Sequence, residues 1–551
     1  MINITTLNKL SWTKCRISLA LSLSTLLMGA CSTDSPQTQE KSENLVSSTA
    51  VTKKPNLLYI FPDQLRLYSM GLWSQSGYDK VLRTKGDPVY TPAIDQLAKD
   101  SVIYTQVVSN HPVCSPHRAM LMSGMWPSQN GVEDLNTKVN RTQGLRQDIT
   151  TFTDVLNDAG YDTAYVGKVH WQRIKKVFDK DGNYVGTEEA PGGFVPNPFD
   201  NYVPPGVERR GNEYWFQSVG DVHNDNKAYS SEPDLVAGKK DGDFHNPHQF
   251  SVDVEADVIV KYLKNENGER DPSKPFSIVW APNPPHNPYS DVGDTKASVY
   301  EQYYQGLPAD ELLVRDNVKA DKSSRVVPWN GDPRAVANTP KAETAIPIYL
   351  SHVTAVDQQV AKVLQALEAA GEADNTIIVY TTDHGEMMGS QSLMAKNYMY
   401  EESFRVPFIL KAPNVAHRID DLMLSTVDIM PTLLSLMGLA DNIPATVSGR
   451  DYSTGVKTGQ YQQKPASALY LNMSRKGVRT DRYSYVVIKT GETELYDNIN
   501  DPYQLKNLHP SDIPASDYKF LKEQLGYWLI EAQDGWAEQG KHAQLITYPN
   551  S

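Results

Sequence analysis

The chain has 551 residues, of which 40% are hydrophobic and 22% charged, the composition of an ordinary globular protein. That length is long for one core and suggests a large domain with a smaller one beside it. A formal net charge of −13 argues against general nucleic-acid binding, but leaves room for an anionic substrate in a local cationic pocket.

The N-terminal segment reads as a targeting sequence rather than as part of the fold. Lys9, Lys14 and Arg16 form a basic start, and Ile17 to Met28 an apolar core too short to span a membrane as a helix. It ends in Leu27-Met28-Gly29-Ala30-Cys31, which resembles a bacterial lipoprotein lipobox; an ordinary secretory signal cleaved nearby is the alternative. The lipobox resemblance implies a lipoprotein signal peptide over residues 1–30, lipidation of Cys31, and a protein exported and lipid-anchored to the membrane of the bacterial cell envelope. Ser32 after the cysteine points to the outer membrane. Residues 31–54, rich in Ser, Thr, Gln and Lys, read as a flexible tether. Cys15 leaves with the signal and Cys31 takes lipid, so Cys114 is the one thiol left and no internal disulfide can form.

From residue 55 apolar runs alternate with helical patterns. Asn56 to Phe61 leads into Asp63-Gln64, and Thr163 to Val166 into Gly167-Lys168-Val169-His170. Phe276 to Trp280 leads into Pro284-Pro285-His286, and Thr376 to Tyr380 into Asp383-His384-Gly385-Glu386. Such runs read as buried parallel strands, and an open α/β sheet binds its ligands beyond the carboxyl ends of its strands. A helix running to Ala370 places Val353, Val356, Val360, Val363 and Leu367 on one buried face, with Gly371 as its stop. A second helix is expected over Ile149 to Ala159, stopped by Gly160. The alternation predicts a doubly wound α/β domain.

Two stretches, Trp171 to about Gln249 and Pro288 to about Arg334, break this rhythm. Irregular stretches of such length in a compact domain usually carry function, so residues 171–250 are expected to be a substrate-binding insertion. Ala468 to Leu471, Tyr483 to Val487 and Glu494 to Asp497 read as short antiparallel strands. With a helix from about Tyr518 to Glu531 they predict a small α+β subdomain over residues 451–551, leaving 55–450 as the catalytic domain.

Cys114-Ser115-Pro116-His117-Arg118 follows a loop-like stretch and precedes an apolar helical pattern, so it is a predicted helix start with Pro116 in the first turn. A cysteine there lies among free N–H groups at the positive end of the dipole, where anions and oxyanions are favoured. A small buried residue opening a core helix is the plain alternative. Asp63-Gln64 and Asp383-His384 set hard oxygen donors at two strand ends, suited to calcium or magnesium, although each Asp can equally cap a helix and His is unusual for calcium. Lys168, His170, His286 and Lys396 add cations and proton donors.

Together these residues resemble the type I sulfatases of the alkaline-phosphatase superfamily. Cys114 to Arg118 matches the C-x-P-x-R signature. Gly167-Lys168-x-His170, the Pro285-His286-x-Pro288 turn, Asp383 to Glu386, and Lys396 ahead of Tyr400 to Pro407 follow in the family's order. Val427 to Leu433 and Leu495-Tyr496-Asp497 to Asp501-Pro502 continue it, so the resemblance covers roughly residues 55 to 510. It implies an alkaline-phosphatase-like, doubly wound, mostly parallel sheet with a smaller C-terminal α+β antiparallel subdomain.

The resemblance also implies a chemistry. A formylglycine-generating maturation enzyme oxidises Cys114 to Cα-formylglycine (3-oxoalanine). One hydroxyl of its hydrate attacks sulfur in line, the alcohol leaves, and a covalent sulfate hemiacetal forms and then expels sulfate. Asp63, Gln64, Asp383 and His384, with modified residue 114, are implied to hold Ca²⁺. Arg118 is implied to steady the hydrate, Lys168 and Lys396 to offset the sulfate charge, and His170 to act as base in hemiacetal collapse. His286 and Lys396 are implied to contact the ester oxygen, one of them protonating the leaving alcohol. Many family members carry Asp-Asp and Asp-Asn where this chain has Asp63-Gln64 and Asp383-His384, which lowers the negative charge around the ion.

For an exported, anchored sulfatase the implied substrate is a sulfated polysaccharide or oligosaccharide, with algal polymers (ulvan, carrageenan, fucoidan) favoured over glycosaminoglycans. Tyr202, Tyr214, Trp215 and Tyr229 of the insertion are candidate stacking faces for sugar rings, although for any one of them packing within the insertion is the favoured alternative. His223, Arg209 and Arg210, with His245 and His248, are candidate readers of further anionic groups. The rival readings are a formylglycine-dependent phosphonate or phosphate ester hydrolase, and a non-catalytic glycan-binding surface lipoprotein. The second predicts a missing motif member, and none is missing.

Overall fold

The structure is a computed structural model that describes residues 53–135, 144–172, 203, 205–219, 222–232, 234, 245–318, 340–538 and 542–549, with the backbone of 176–178 and 184–187. The predicted signal peptide, Cys31, almost all of the tether, Tyr202 and much of the predicted insertion lie outside the described residues.

In chain order the first eleven strands are β1 (Asn56–Ile60), β2 (Val102–Tyr104), β3 (Asp162–Gly167), β4 (Lys176–Phe178), β5 (Tyr184–Thr187), β6 (Tyr214–Val219), β7 (Lys227–Ser230), β8 (Phe276–Ala281), β9 (Thr376–Tyr380), β10 (Phe408–Lys411) and β11 (Arg418–Asp420). Nine of them form one sheet in the order β11-β2-β10-β9-β1-β8-β3-β6-β7, while β4 and β5 pair as a separate hairpin. The central run β9-β1-β8-β3-β6 is parallel, with Leu58 standing between Ile378 and Ile278.

Alternate residues of β1 enter different cores. Leu58 and Ile60 pack with the helices Ser251–Lys264 and Ala342–Ala369. Leu57, Tyr59 and Phe61 pack with Cys114–Ser123, Phe152–Asp158 and Thr426–Leu436. A strand's period of two sends successive side chains to opposite faces, so both faces of the parallel sheet are covered by helices. The doubly wound α/β expectation holds. Val353, Val356, Val360, Val363 and Leu367 are each at most 1% exposed, and their helix ends before Gly371, whose φ is 71°. The helix expected from Ile149 starts at Phe152, because the Thr151 hydroxyl accepts from Asp154 N while the Asp154 carboxylate accepts from Thr151 N.

Part of the stretch predicted to be irregular is regular. β6 and β7 extend the main sheet, and Tyr214, Trp215 and Tyr229 are at most 2% exposed. Trp215 stacks on Tyr165 of β3 with ring centroids 5.2 Å apart. These three aromatics are core residues and not sugar platforms, as the packing alternative expects. Their flanking Gly, Asn and Asp residues mask a strand that β3 stabilises from 50 residues away.

β12 (Ala468–Leu471), β13 (Arg475–Arg479), β14 (Tyr483–Ile488) and β15 (Thr493–Asp497) form a separate antiparallel sheet in that order. The helix Ala515–Glu531 covers it through Leu521, Leu525 and Leu529. β13 escapes prediction because Arg475-Lys476-Gly477-Val478-Arg479 offers a single large apolar side chain.

Candidate active site

The central strands deliver the polar residues to one end of the sheet. β1 leads to Asp63 and Gln64, β3 to Lys168 and His170, β8 to His286, and β9 to Asp383 and His384. Cys114 is the first residue of the helix Cys114–Ser123, which ends at Gly124 with φ 63°. Two glycines allow the strand ends to crowd together. A Cβ at Gly167 would lie 2.2 Å from the Ala281 carbonyl oxygen, and one at Gly385 would lie 1.9 Å from that of Glu402.

The site residues converge. Cys114 Sγ lies 3.2 Å from His384 Nε2, 3.3 Å from Lys396 Nζ and 3.6 Å from Asp63 Oδ1. Lys168 Nζ is 2.7 Å from Asp63 Oδ2 and donates to Asn283 Oδ1 at 3.2 Å. Arg118 ties the two carboxylates together, donating from Nε to Asp383 Oδ2 (3.0 Å) and from Nη2 to Asp63 Oδ2 (3.3 Å). Its Nη1 donates to the Lys168 carbonyl (2.8 Å), and its guanidinium sits over the Phe61 ring. Lys396 Nζ donates to Gln64 Oε1 (2.6 Å) and to His286 Nε2 (2.8 Å). His170 is buried, with φ 60°.

Tautomers follow from acceptors that hold no proton. His286 Nδ1 lies 2.9 Å from the Asn287 carbonyl, so Nδ1 carries the hydrogen and Nε2 accepts from Lys396. Burial, with Lys396 and Lys168 nearby, lowers the His286 pKa to about 4, in keeping with a neutral ring. His384 Nδ1 donates to the Gly385 carbonyl (3.0 Å), which turns Nε2 toward Cys114 and Asp63. Burial disfavours a charged His384, but Asp383 and Cys114 together outweigh it and its pKa is raised.

Burial pushes the Asp63 carboxyl up, yet Lys168, His286, Lys396 and Arg118 hold it well below the usual carboxylate range. Asp383 is lowered as well: burial and the neighbouring Asp63 raise it, but His384, Arg118 and His117 together outweigh them. Burial and Asp63 also raise the Cys114 thiol, but Lys396, Lys168 and His384 overcome them and bring it down to about 5. The pocket therefore favours an anion at position 114.

The residues fit a divalent cation. Donor atoms of Asp63, Cys114, Asp383 and His384, all buried, lie within 4.8 Å of one another, a grouping that stands alone among the described residues. Gln64, also an expected ligand, is oriented by Glu386. Gln64 Nε2 donates to Glu386 Oε2 and to Tyr289 OH (3.0 Å). A carboxylate accepts only, so the amide nitrogen faces Glu386 and Oε1 faces the cluster.

Lys396 stands in a strained loop. Met388, Gln391, Ser392, Ala395 and Asn397 all have φ between 42° and 75°. Each such non-glycine residue costs on the order of 1 kcal/mol, so the loop needs holding from outside. Glu386 Oε1 accepts from Met388 N (3.0 Å) and Ala395 N (2.6 Å).

Three of the five predicted substrate readers have work inside the fold. His223 Nε2 donates to the His286 carbonyl at 2.7 Å, so it supports the His286 turn. Arg210 is 2% exposed and donates to the carbonyls of Leu145, Arg146 and Ile149. Arg209 Nε donates to the Val203 carbonyl (3.1 Å), with its guanidinium over Trp215.

Comparison with known proteins agrees with the sulfatase resemblance. The Sulfatase family model matches residues 55–439, and that of the N-sulphoglucosamine sulphohydrolase C-terminal region matches residues 389–531. The chain is 36% identical over 522 residues to the endo-4-O-sulfatase of Bacteroides thetaiotaomicron, covering 90% of this chain and 95% of that protein. It is 27% identical over 471 residues to the ulvan-active sulfatase of Formosa agariphila, covering 83% and 77% of the two chains. A solved Bacteroides thetaiotaomicron structure, described under metabolism of multiple glycosaminoglycans, superposes with a TM-score of 0.79 at 33% identity, over 90% of this chain and all of that one. The phosphonate monoester hydrolase of Silicibacter pomeroyi shares the fold at 19% identity, with a TM-score of 0.61 over 87% of this chain and 96% of that one. The chain belongs to the sulfatase family and is a sulfuric ester hydrolase.

Proposed function

We propose that the enzyme removes O-sulfate from a sulfated polysaccharide or its oligosaccharides at the site around Cys114, with sugars sulfated at the 4-O position as the first candidates. One observation carries the reading of the site: Lys168, Lys396 and Arg118 surround a buried cysteine at a helix start, beside two buried carboxylates and a histidine able to hold a cation. A sulfate monoester is anionic, and attack on it by oxygen needs such charge compensation already in place. The names of the 36% and 27% identical relatives support a sulfated glycan, and they put glycosaminoglycans and ulvan on one test panel.

Cα-formylglycine at position 114, formed by a maturation enzyme, would supply the oxygen nucleophile as its hydrate. Calcium, held by Asp63, Gln64, Asp383, His384 and residue 114, would polarise the sulfate oxygens. The chain's own residues do the rest. Lys168 offsets charge on the sulfate and on Asp63, and Arg118 keeps the two carboxylates in place. Lys396 holds an ammonium proton against the neutral Nε2 of His286, which makes it the better of the two donors to the leaving alcohol. His170 is assigned the base. A phosphonate or phosphate ester substrate has only fold-level likeness behind it.

The test joins peptide mass and product. The Cys114 peptide of enzyme co-expressed with a maturation system should carry the aldehyde mass. The same enzyme should release sulfate from 4-O-sulfated glycosaminoglycan fragments or from ulvan fragments, and far less phosphate from matched phosphate esters. Active enzyme with an unmodified cysteine would overturn the formylglycine assignment. Export and lipidation at Cys31 are proposed on the Lys9 to Cys31 pattern alone. Incorporation of labelled palmitate should vanish in Cys31→Ala, and its persistence would refute the anchor.

A further inference from the structure

We propose that Tyr470 and Asn472, at the edge of the C-terminal sheet, are positioning residues that hold Lys396 at the reacting centre. The inference rests on the assignment of Lys396 to the leaving-group oxygen. Lys396 lies between two residues of left-handed backbone, Ala395 (φ 66°) and Asn397 (φ 75°), which an unsupported chain would leave. The Asn397 carbonyl accepts two buried hydrogen bonds, from Tyr470 OH at 2.9 Å and from Asn472 Nδ2 at 3.1 Å. Asn397 N donates to the Pro112 carbonyl at 3.1 Å, two residues before Cys114.

β12 is the edge strand of its sheet, so its outer N–H and C=O groups need partners. They find them on the nucleophile's own loop: Leu471 N donates to the Asn110 carbonyl (2.7 Å), and Asn110 Nδ2 donates to the Leu469 carbonyl (2.8 Å). One strand edge thus grips both the chain that leads into Cys114 and the residue beside Lys396. Its geometry bears on the 3.3 Å separation of Cys114 Sγ and Lys396 Nζ. The Tyr470 ring packs edge-on against Phe404, so the side chain is held on two sides and can act as a fixed donor.

A proton delivered to a poor alcohol leaving group matters far more than one delivered to an activated phenol, and this separates positioning from general support. Tyr470→Phe keeps the ring and loses the donor. Asn472→Asp keeps the acceptor used by Ser474 N and loses the donor. Each variant, and the pair, is assayed for kcat and KM on a sulfated sugar and on 4-nitrophenyl sulfate, with Lys396→Ala as reference and thermal unfolding measured alongside. The expected result for the pair is a fall of about tenfold in kcat on the sulfated sugar, the scale of one or two lost hydrogen bonds, with the aryl sulfate and KM nearly unchanged and the unfolding midpoint lowered only by the cost of one unpaired buried carbonyl. Unchanged kcat on both substrates, or an equal fall on both, overturns the positioning role. A Lys396→Ala variant equally impaired on both substrates overturns the assignment of Lys396, and the proposal with it, whatever the Tyr470 and Asn472 variants do.

Discussion

Glu255 offers a quantitative test of how this interior treats charge. It is fully buried beneath β8, where its carboxylate accepts from Trp280 Nε1 (2.9 Å) and from the Ser218 hydroxyl. Burial raises its pKa from 4.5 to about 7, more than the two hydrogen bonds and distant Arg118 can offset. An acid whose folded pKa is raised binds more protons folded than unfolded between these values. Its contribution therefore worsens as pH rises from 4.5 toward 7 and levels off above that. The shift corresponds to a cost of about 3 kcal/mol at pH 8, shrinking to about 1 kcal/mol at pH 5. Glu255→Gln keeps an acceptor for Trp280 and a donor for Ser218 without the charge. Urea unfolding of both proteins from pH 5 to 8 should show the variant gaining on the wild type by about 2 kcal/mol across that range. Parallel pH profiles for the two proteins would refute the argument, since they would mean that Glu255 ionises at its ordinary value.

Other outcomes follow from the site. Arg118→Met leaves the Asp63 and Asp383 carboxylates facing each other without their shared guanidinium, and should destabilise the metal-free protein by about 3–5 kcal/mol, read by denaturant unfolding. Glu386→Gln frees the Gln64 amide to turn, and should weaken calcium binding by roughly 10–100-fold in calorimetric titration while the protein stays folded. Chelation should lower the unfolding temperature and added calcium should restore it, because a ligand bound only by the folded state stabilises it; a midpoint indifferent to calcium would count against the cation site.

The strand ends that carry the site are plain in the sequence, because central parallel strands read as short apolar runs ending in polar residues. Asp63, Lys168, His286 and Asp383 were legible for that reason. The grouping itself is not a property of any segment: Lys396 meets Cys114 across 282 residues, and only the motif order pointed to their meeting. What stayed hidden depends on side-chain direction. Glu386 stood in a quoted motif, but its hold on Gln64 depends on which way an amide faces. Arg210 and Trp215 read both as sugar contacts and as packing residues, because arginine and tryptophan serve the core and the surface equally well, and the neighbouring carbonyls and rings decide which. Tyr470 lay in a predicted strand, with nothing in its surroundings to reveal a hydrogen bond 73 residues away.

The depth of Cys114 imposes a timetable. The residue is 1% exposed, enclosed with Val113 and Leu135, and its backbone opens a helix whose every residue is buried. A maturation enzyme of the kind proposed for Cys114 would have to hold and oxidise this side chain, and it could not reach it in the native protein. Its access ends when the helix Cys114–Ser123 docks on the sheet. On the proposed formylglycine chemistry, maturation and folding would therefore compete for the same nascent chain, and a molecule that folded first would stay a thiol for as long as it stayed folded. The fraction of active enzyme in a preparation would then record which of two rates won, and slowing the folding of this chain should raise it.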